Sequence, residues 1–379
     1  MLIGDLVTGN ARRIPDRTAL VFDDRRPTWG ELELRTNRVA NALMGLGVQP
    51  GDRVAYILNN SIELVELYFG IAKSGAISAG ILPRSVGREI AYVAGDLGVK
   101  VLVVGPEAAQ AVAEIQGQLK TVEHIVGVGT DRFESYEGLL ARASAEPPGV
   151  AIDPDAVFAV KYTTGTTGFP KGCMRTHRGY ITNVLVYLAK VPHLPTDIAA
   201  IGMPLSAGLG IHMLTTHVCA GIPTVLRPKF DVADLYETIA RERATMTFAI
   251  LSLFDQFAEH PDLARADLTS LRLLTGTSAT GESRPGMLAI KANPTFKGGF
   301  INSYGSTETG GYVTYMTQPE TDIALANPTK PDRLSSLGTE APLFRVSAVD
   351  EDMREVPAGE FGEMVVQGPS LTKGYWNRP

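Results

Sequence analysis

Short apolar, β-branched runs alternate along this chain with longer stretches in which apolar residues recur every three or four positions. Residues 19–22, 53–57, 99–104, 157–162, 199–203 and 224–226 predict strands. Residues 28–44, 60–73, 107–119, 180–189 and 231–241 predict helices. Two of these helices carry start signals: Thr28 with Glu31, and Asn60 with Glu63, each place a capping oxygen three residues before a carboxylate. Gly45 and Gly47 suit the exit from the first. Strand–helix alternation of this kind predicts an α/β fold with mostly parallel sheets flanked by helices. So many units would overfill one sheet, so residues 1–320 are expected to form a body of two lobes. Beyond about residue 320 the helical periodicity fades. Residues 343–349 and 362–367 predict a strand pair around the acidic turn 350–352, making 321–379 a small antiparallel β-rich module. Residues 144–149 predict a surface linker, and there is no internal repeat.

Composition narrows the function classes. The 379 residues are 44% hydrophobic and 20% charged, as in ordinary globular proteins. Thirty-five basic against 41 acidic residues, with no dense basic run, disfavour a nucleic-acid surface. The longest apolar runs fall far short of the roughly 20 residues that span a bilayer. The first ten residues contain Asp5 and no basic cluster, so no secretory signal is expected. Cys173 and Cys219 provide neither a disulfide framework nor a metal motif. The expectation is a soluble, cytoplasmic protein. Its oligomeric state is left open, a homodimer included.

The chemistry concentrates in residues 162–172, YTTGTTGFPKG, placed between a strand and a helix-like segment. Gly165 and Gly168 let backbone N–H groups converge on one point. Thr163, Thr164, Thr166 and Thr167 add hydroxyls, and Lys171 adds a mobile positive charge stiffened in approach by Pro170. The order Pro-Lys-Gly is not the Gly-Lys-Ser/Thr of a Walker A loop, which disfavours a conventional P-loop ATPase. A second Gly/Thr stretch, Leu274-Thr275-Gly276-Thr277-Ser278-Ala279, follows another strand-like run. His212 and His217, five apart in a helix-like run, do not share a metal-binding face and read as core or surface histidines. Glu308, taken alone, reads as a solvated carboxylate.

These stretches together resemble the adenylate-forming superfamily of acyl- and aryl-CoA synthetases, luciferases and peptide-synthetase adenylation domains. YTTGTTGFPKG resembles its phosphate loop, and Asn302-Ser303-Tyr304-Gly305-Ser306-Thr307-Glu308 its NxYGxTE motif. Thr28-Trp29-Gly30-Glu31-Leu32, Lys73-Ser74-Gly75-Ala76 and Gly362-Glu363 followed by Gly374-Tyr375 resemble further motifs in the expected order. The resemblance implies an acid–CoA ligase. ATP and a small carboxylic acid would give an acyl-adenylate and pyrophosphate, and coenzyme A would then displace AMP. It implies that residues 163–168 and Lys171 hold the β- and γ-phosphates. Thr307 would donate to the α-phosphate, Tyr304 would stack on adenine, and Glu308 would help hold Mg²⁺. Ser303, Gly305, Gly276, Thr277 and Ser278 would complete the nucleotide site, with Thr277 and Ala279 departing from the family's Gly and Pro.

Met203-Pro204-Leu205-Ser206-Ala207-Gly208 aligns with the family's PLFH-like stretch, where Ala207 implies a widened acyl entrance. No Asp or Glu lies between residues 201 and 220 to pair with a substrate ammonium, so an amino-acid substrate is disfavoured. Phe248, with Ala249, Ile250 and Phe254, lies where the family lines its acyl site and reads equally as core. Gly305 and Tyr312, with Tyr315, would border the same cavity. Family members continue with a ribose-binding Asp, a hinge and a mobile C-terminal domain bearing an adenylation lysine. The resemblance places these beyond residue 379, so the present residues are expected to bind acyl-AMP and to form thioester poorly. The competing readings are an adenylating enzyme that uses a carrier protein or another acceptor, and a nucleotide-binding fragment without turnover.

Overall fold

The computed structural model describes residues 1–163, 170–250, 252–276, 283–329 and 333–378. Two units divide the chain: Met1–Ile181, Pro195–Asp231 and Thr372–Pro379 form one, Thr182–Leu194 and Val232–Leu371 the other. The first unit holds β1 (Leu20–Val21), β2 (Arg53–Ile57), β3 (Ile77–Gly80), β4 (Val101–Val104), β5 (His124–Gly127), β6 (Glu134–Ser135), β7 (Val157–Thr163), β8 (Lys171–Thr176), β9 (Ala199–Ile201) and β10 (Thr224–Leu226). Its helices are α1 (Asp5–Arg13), α2 (Trp29–Gly45), α3 (Ile62–Ser74), α4 (Gly87–Leu97), α5 (Pro106–Ile115), α6 (Tyr136–Arg142), the start of α7 (His177–Lys190) and α8 (Gly208–Ala220). Seven strands form one sheet in the order β6-β5-β4-β2-β3-β7-β8, parallel except for β8. A parallel row β1-β10-β9 accompanies it. No helix among the described residues is long and apolar enough to cross a membrane.

The two faces of the seven-stranded sheet differ. Ala55, Ile57, Ile77, Ala79 and Val160 face one way, into an apolar cluster with Ile90, Val93 and Val112 of α4 and α5. Side chains one residue on, Tyr56, Ser78, Lys161 and Arg175, point the other way and are also buried. Pairing register brings them together, because Ser78 pairs with Ala159 and Ala159 with Arg175.

Thr28 caps α2 as the sequence indicates: its Oγ1 accepts from Glu31 N at 3.2 Å while Glu31 accepts from Thr28 N at 2.8 Å. Asn60 does not cap α3. Ser61 does, accepting from Leu64 N at 3.2 Å. Asn60 is buried and instead donates to Met203 O and Arg227 O, at 2.8 and 2.9 Å, and accepts from Leu205 N at 2.7 Å. Backbone groups of a buried loop need partners, and an Asn amide supplies both kinds.

Residues 164–169 do not connect a strand to a helix, as the sequence pattern had it. Strand β8 intervenes, antiparallel to β7, with Thr163 opposite Lys171. The charges of Lys171 and Arg175 hid its alternation.

The second unit contains α9 (Val232–Glu242), β11 (Met246–Phe248), α10 (Ser252–Glu259), β12 (Leu273–Thr275), α11 (Ser283–Ala292), β13 (Gly299–Ser306), β14 (Gly311–Met316), α12 (Gln318–Ala326), β15 (Thr339–Glu340), β16 (Arg345–Val349) and β17 (Glu363–Gln367). β11, β12 and β13 run parallel, and β14 and β15 add antiparallel strands. β16 and β17 form the expected antiparallel pair. α12 lies where helical periodicity was expected to fade. Its nine residues are too few for a clear period, and its signal is the cap at Thr317, whose N–H donates to Glu320 at 2.8 Å. Parallel-rich sheets covered by helices, plus a small antiparallel sheet, are the expected fold class.

Candidate active site

In the first unit, Thr163 ends β7 and Lys171 begins β8, opposite each other in register. Lys171 Nζ lies 5.2 Å from the centroid of the Tyr375 ring. Tyr375 belongs to a terminal segment laid along β8: Met174 N donates to Gly374 O at 3.1 Å and Trp376 N to Gly172 O at 2.7 Å. Gly172 is hemmed in from the β7 side, where a Cβ would sit 2.6 Å from Val160 Cγ1. Tyr92 Oη, on α4, donates to Pro170 O at 3.1 Å. The Gly374-Tyr375 signature thus supplies the aromatic surface beneath the loop lysine, a role its sequence did not disclose. Thr164, Gly165, Thr166, Thr167 and Gly168 lie outside the described residues, as do Thr277, Ser278 and Ala279.

Ala207 is the residue before α8, and its N–H donates to Pro204 O at 3.2 Å. Asn60 fixes the backbone of this stretch through Met203 and Leu205. His212 and His217 are both buried on α8. Burial first, and the charge of Arg175 second, push His212 down to about 3, so it stays neutral. Both are core histidines.

In the second unit, the NSYGSTE stretch runs up β13 into the turn that leads to β14. Ser306 and Thr309 brace that turn reciprocally: Ser306 N donates to Thr309 Oγ1 at 2.8 Å, and Thr309 N to Ser306 Oγ at 3.2 Å. Thr309 Oγ1 also donates to Gly311 O at 2.7 Å. Thr307 and Glu308, half-buried, are carried at its tip. Ser370 Oγ donates to Thr309 O at 2.5 Å, and Asn183 of α7 donates to Ser370 Oγ at 3.2 Å. Asn183 also exchanges two bonds with the Tyr312 backbone, 2.9 Å to its O and 3.1 Å from its N–H. Asn183 and Ser370 stand far from the motif in sequence, and no spacing rule pointed to them.

Gly305 pairs with Tyr312 at a register shift after Tyr304. A Cβ on Gly305 would lie 2.0 Å from Gly311 O, so only glycine fits. Gly276 is equally constrained: its φ is +145° and a Cβ would overlap Ala249 O at 1.5 Å. Tyr312 meets Phe248 at 6.2 Å, Tyr187 at 5.5 Å and Tyr315 at 6.2 Å between ring centroids. Tyr187 Oη donates to Thr275 Oγ1 at 3.2 Å. The structure therefore gathers Phe248, Gly305 and Tyr312, with Thr275 and Gly276 alongside, and adds Tyr187. A turn presenting one carboxylate and one hydroxyl beside an aromatic wall can hold an anion, its counter-cation and a flat apolar group.

A family model for AMP-binding enzymes matches residues 7–376. A feruloyl-CoA synthase from an Amycolatopsis species is 32% identical over 382 aligned residues, covering 100% of this chain and 72% of the relative. A long-chain-fatty-acid–CoA ligase, FadD13, from Mycobacterium tuberculosis is 27% identical, covering 94% of this chain and 68% of the relative. Among solved structures, the inhibitor-bound N-terminal domain of FACL13 from Mycobacterium tuberculosis superposes with a TM-score of 0.88 at 26% identity, covering 100% of this chain and 92% of that one.

Proposed function

Since the chain belongs to the AMP-binding enzyme family, we propose that it adenylates a small apolar carboxylic acid with ATP and passes the acyl group to coenzyme A. The observation that carries the reading is the braced turn that presents Thr307 and Glu308 beside the Phe248–Tyr312 wall. A carboxylate oxygen of the acid attacks the α-phosphorus of ATP, the bond to the β-phosphate oxygen breaks, and pyrophosphate leaves. The thiol sulfur of coenzyme A then attacks the acyl carbon, loses its proton, and AMP departs.

The chain's own residues have distinct tasks. Thr307 donates a hydrogen bond to the α-phosphate, where charge builds in the five-coordinate transition state. Lys171 offsets charge on the leaving phosphates. Tyr304 stacks on adenine, and the Phe248–Tyr312 wall excludes water from the acid. Mg²⁺ fits the donor set: a single carboxylate on a fixed turn matches a cation held by one or two carboxylates plus substrate phosphates. Among the described residues no cage of three or more His, Cys, Asp or Glu side chains competes for it. Glu308 would hold it, and when bound the ion neutralises phosphate charge.

The test is a panel of aryl and alkyl acids scored by pyrophosphate release and thioester formation. Glu308→Gln is expected to cut pyrophosphate release by roughly 10²–10³-fold, by analogy with loss of a transition-state donor, with unchanged folding. Release of free phosphate from ATP, or an unaltered Mg²⁺ dependence in the variant, would overturn the reading.

A further inference from the structure

The proposed reaction leaves unused the polar side chains on the buried face of the seven-stranded sheet opposite α4 and α5. Lys161 is 6% exposed, and among the described residues its Nζ has no hydrogen-bond partner. Three buried hydroxyls at this face also lack partners among the described residues: Tyr56 Oη and Ser78 Oγ on its strands, and Ser206 Oγ in the segment before α8. Gly80 packs Tyr56 and Ser206 together, because a Cβ there would be 3.0 Å from Tyr56 Cε2 and 2.5 Å from Ser206 O. Ser78 shares a cross-strand row with Ala159 and Arg175, and Lys161 stands one pleat further along β7. Lys161 Nζ lies 5.8 Å from the Tyr68 ring centroid, so its remaining contact is with an aromatic face.

The chemistry of this group is lopsided. The hydroxyls can donate or accept, whereas the Lys161 ammonium only donates and carries a charge of its own, and Arg175, 5% exposed, lies on the same face. Burial, then Arg175, push Lys161 down to about 7, and among the described residues no carboxylate figures among the charges acting on it. Buried polar atoms are normally satisfied, so a cluster of orphans signals an absent water or ion. Water supplies as many donors as acceptors and leaves the charge uncompensated. An anion supplies acceptors and charge together.

We propose that Lys161, Tyr56, Ser78 and Ser206 form a buried site for one small monovalent anion of the halide, nitrate or formate class. The surrounding side chains are buried, which limits the occupant to a few atoms. The anion accepts from Lys161 Nζ and the hydroxyls, and its charge holds Lys161 protonated.

Thermal unfolding of the full chain at fixed pH and ionic strength tests this, with gluconate, too large to enter, exchanged for chloride, nitrate or formate. The wild type is expected to gain about 2–4 °C saturably with the small anions. Lys161→Met should lose that rise, and Ser78→Ala should move its midpoint to higher anion concentration. Equal melting in gluconate and chloride, or the same rise in Lys161→Met, would overturn the site. Crystals grown in bromide offer a check free of any variant: an anomalous peak beside Lys161 Nζ is expected, and none there refutes the proposal.

Discussion

Lys73, near the end of α3, and Lys161, on β7, are both buried amines of the first unit, 9% and 6% exposed. Lys73 Nζ donates to Glu33 Oε2 at 2.6 Å and Asn37 Oδ1 at 2.7 Å, both on α2. Close by, Arg35 of α2 pairs with Glu66 at 2.8 Å, and Tyr136 Oη donates to the same carboxylate at 3.0 Å. Burial lowers the pKa of Lys73 as it does that of Lys161, but Glu33 pulls Lys73 back up, whereas Arg175 pushes Lys161 further down. Where the α2–α3 packing buries a cation, the chain supplies its counter-charge. At Lys161 it supplies another cation. The first arrangement holds helices together. The second suits a group that comes from outside.

The same substitution at both positions breaks the comparison most sharply. Lys73→Met leaves the Glu33 carboxylate without its partner, and removing one member of a buried pair costs about 3 kcal/mol or more. Lys161→Met removes an uncompensated cation and replaces it with an apolar chain of similar volume. Its stability in gluconate buffer should lie within about 1 kcal/mol of wild type, or above it. Urea unfolding of both variants measures the two costs. Equal losses would mean that Lys161 is structurally paired like Lys73.

Acid and base titration sharpen the same contrast. Lys161 sits at about 7 when folded against 10.5 when unfolded, so the folded state binds fewer protons between those values. Stability relative to Lys161→Met should therefore rise as pH climbs from 7 toward 10, and should be lost as pH falls back to 7. Tyr68 on α3 and Arg175 on β8 face Lys161, while Tyr56 on β2 and Tyr180 on α7 act on these neighbours, as His212 of α8 does on Arg175. All three tyrosines are held above their usual range by burial. None of them changes charge in this window. The difference should be on the order of 2 kcal/mol in gluconate after relaxation and water entry, and chloride should flatten it. Below pH 6.5 wild type and variant should lose stability together, because burial holds His177 down to about 4 and His212 to about 3. A pH profile identical in wild type and Lys161→Met above pH 7 would contradict the assignment.

Local chemistry was legible in the sequence, and long-range chemistry was not. Strands 53–57 and 224–226 match β2 and β10 end to end, and the Thr28–Glu31 capping box is present, because each is fixed by neighbours within a few residues. The motif residues Ser303, Tyr304, Gly305, Thr307 and Glu308 fall on one hairpin, as contiguous residues must. Asn60 has a capping residue's composition, yet its partners Met203, Leu205 and Arg227 stand more than 140 positions away, and that burial outweighs the cap. Asn183 and Ser370 brace the hairpin that carries Thr307 and Glu308 from 129 and 61 positions away. Lys161 was invisible for a different reason. It stands inside an apolar strand next to the Thr/Gly motif, and only cross-strand register shows that its neighbours Ser78 and Arg175 are polar too.

The smallest effect is expected at a third lysine, the second of the β7–β8 hairpin. Lys171 is half-exposed, opposite Thr163, with its ammonium over the Tyr375 ring. Exposed cation–π contacts contribute about 0.5–1 kcal/mol, so Lys171→Ala should change stability by less than about 1 kcal/mol. In the proposed function its phosphate contact would be shared with backbone donors and hydroxyls, and a single half-exposed charge is worth a similar amount. The ATP concentration giving half-maximal pyrophosphate release should therefore rise by roughly 3–10-fold, with a smaller change in maximal rate. Lys171→Arg should restore most of it, since it keeps both the charge and the ring contact. Tyr375→Leu should mimic part of the loss, because the ring that steadies the ammonium is gone while the charge stays. Wild-type ATP dependence in Lys171→Ala would leave this lysine a solvated cation, and the functional contrast along the hairpin would then rest on Lys161 alone.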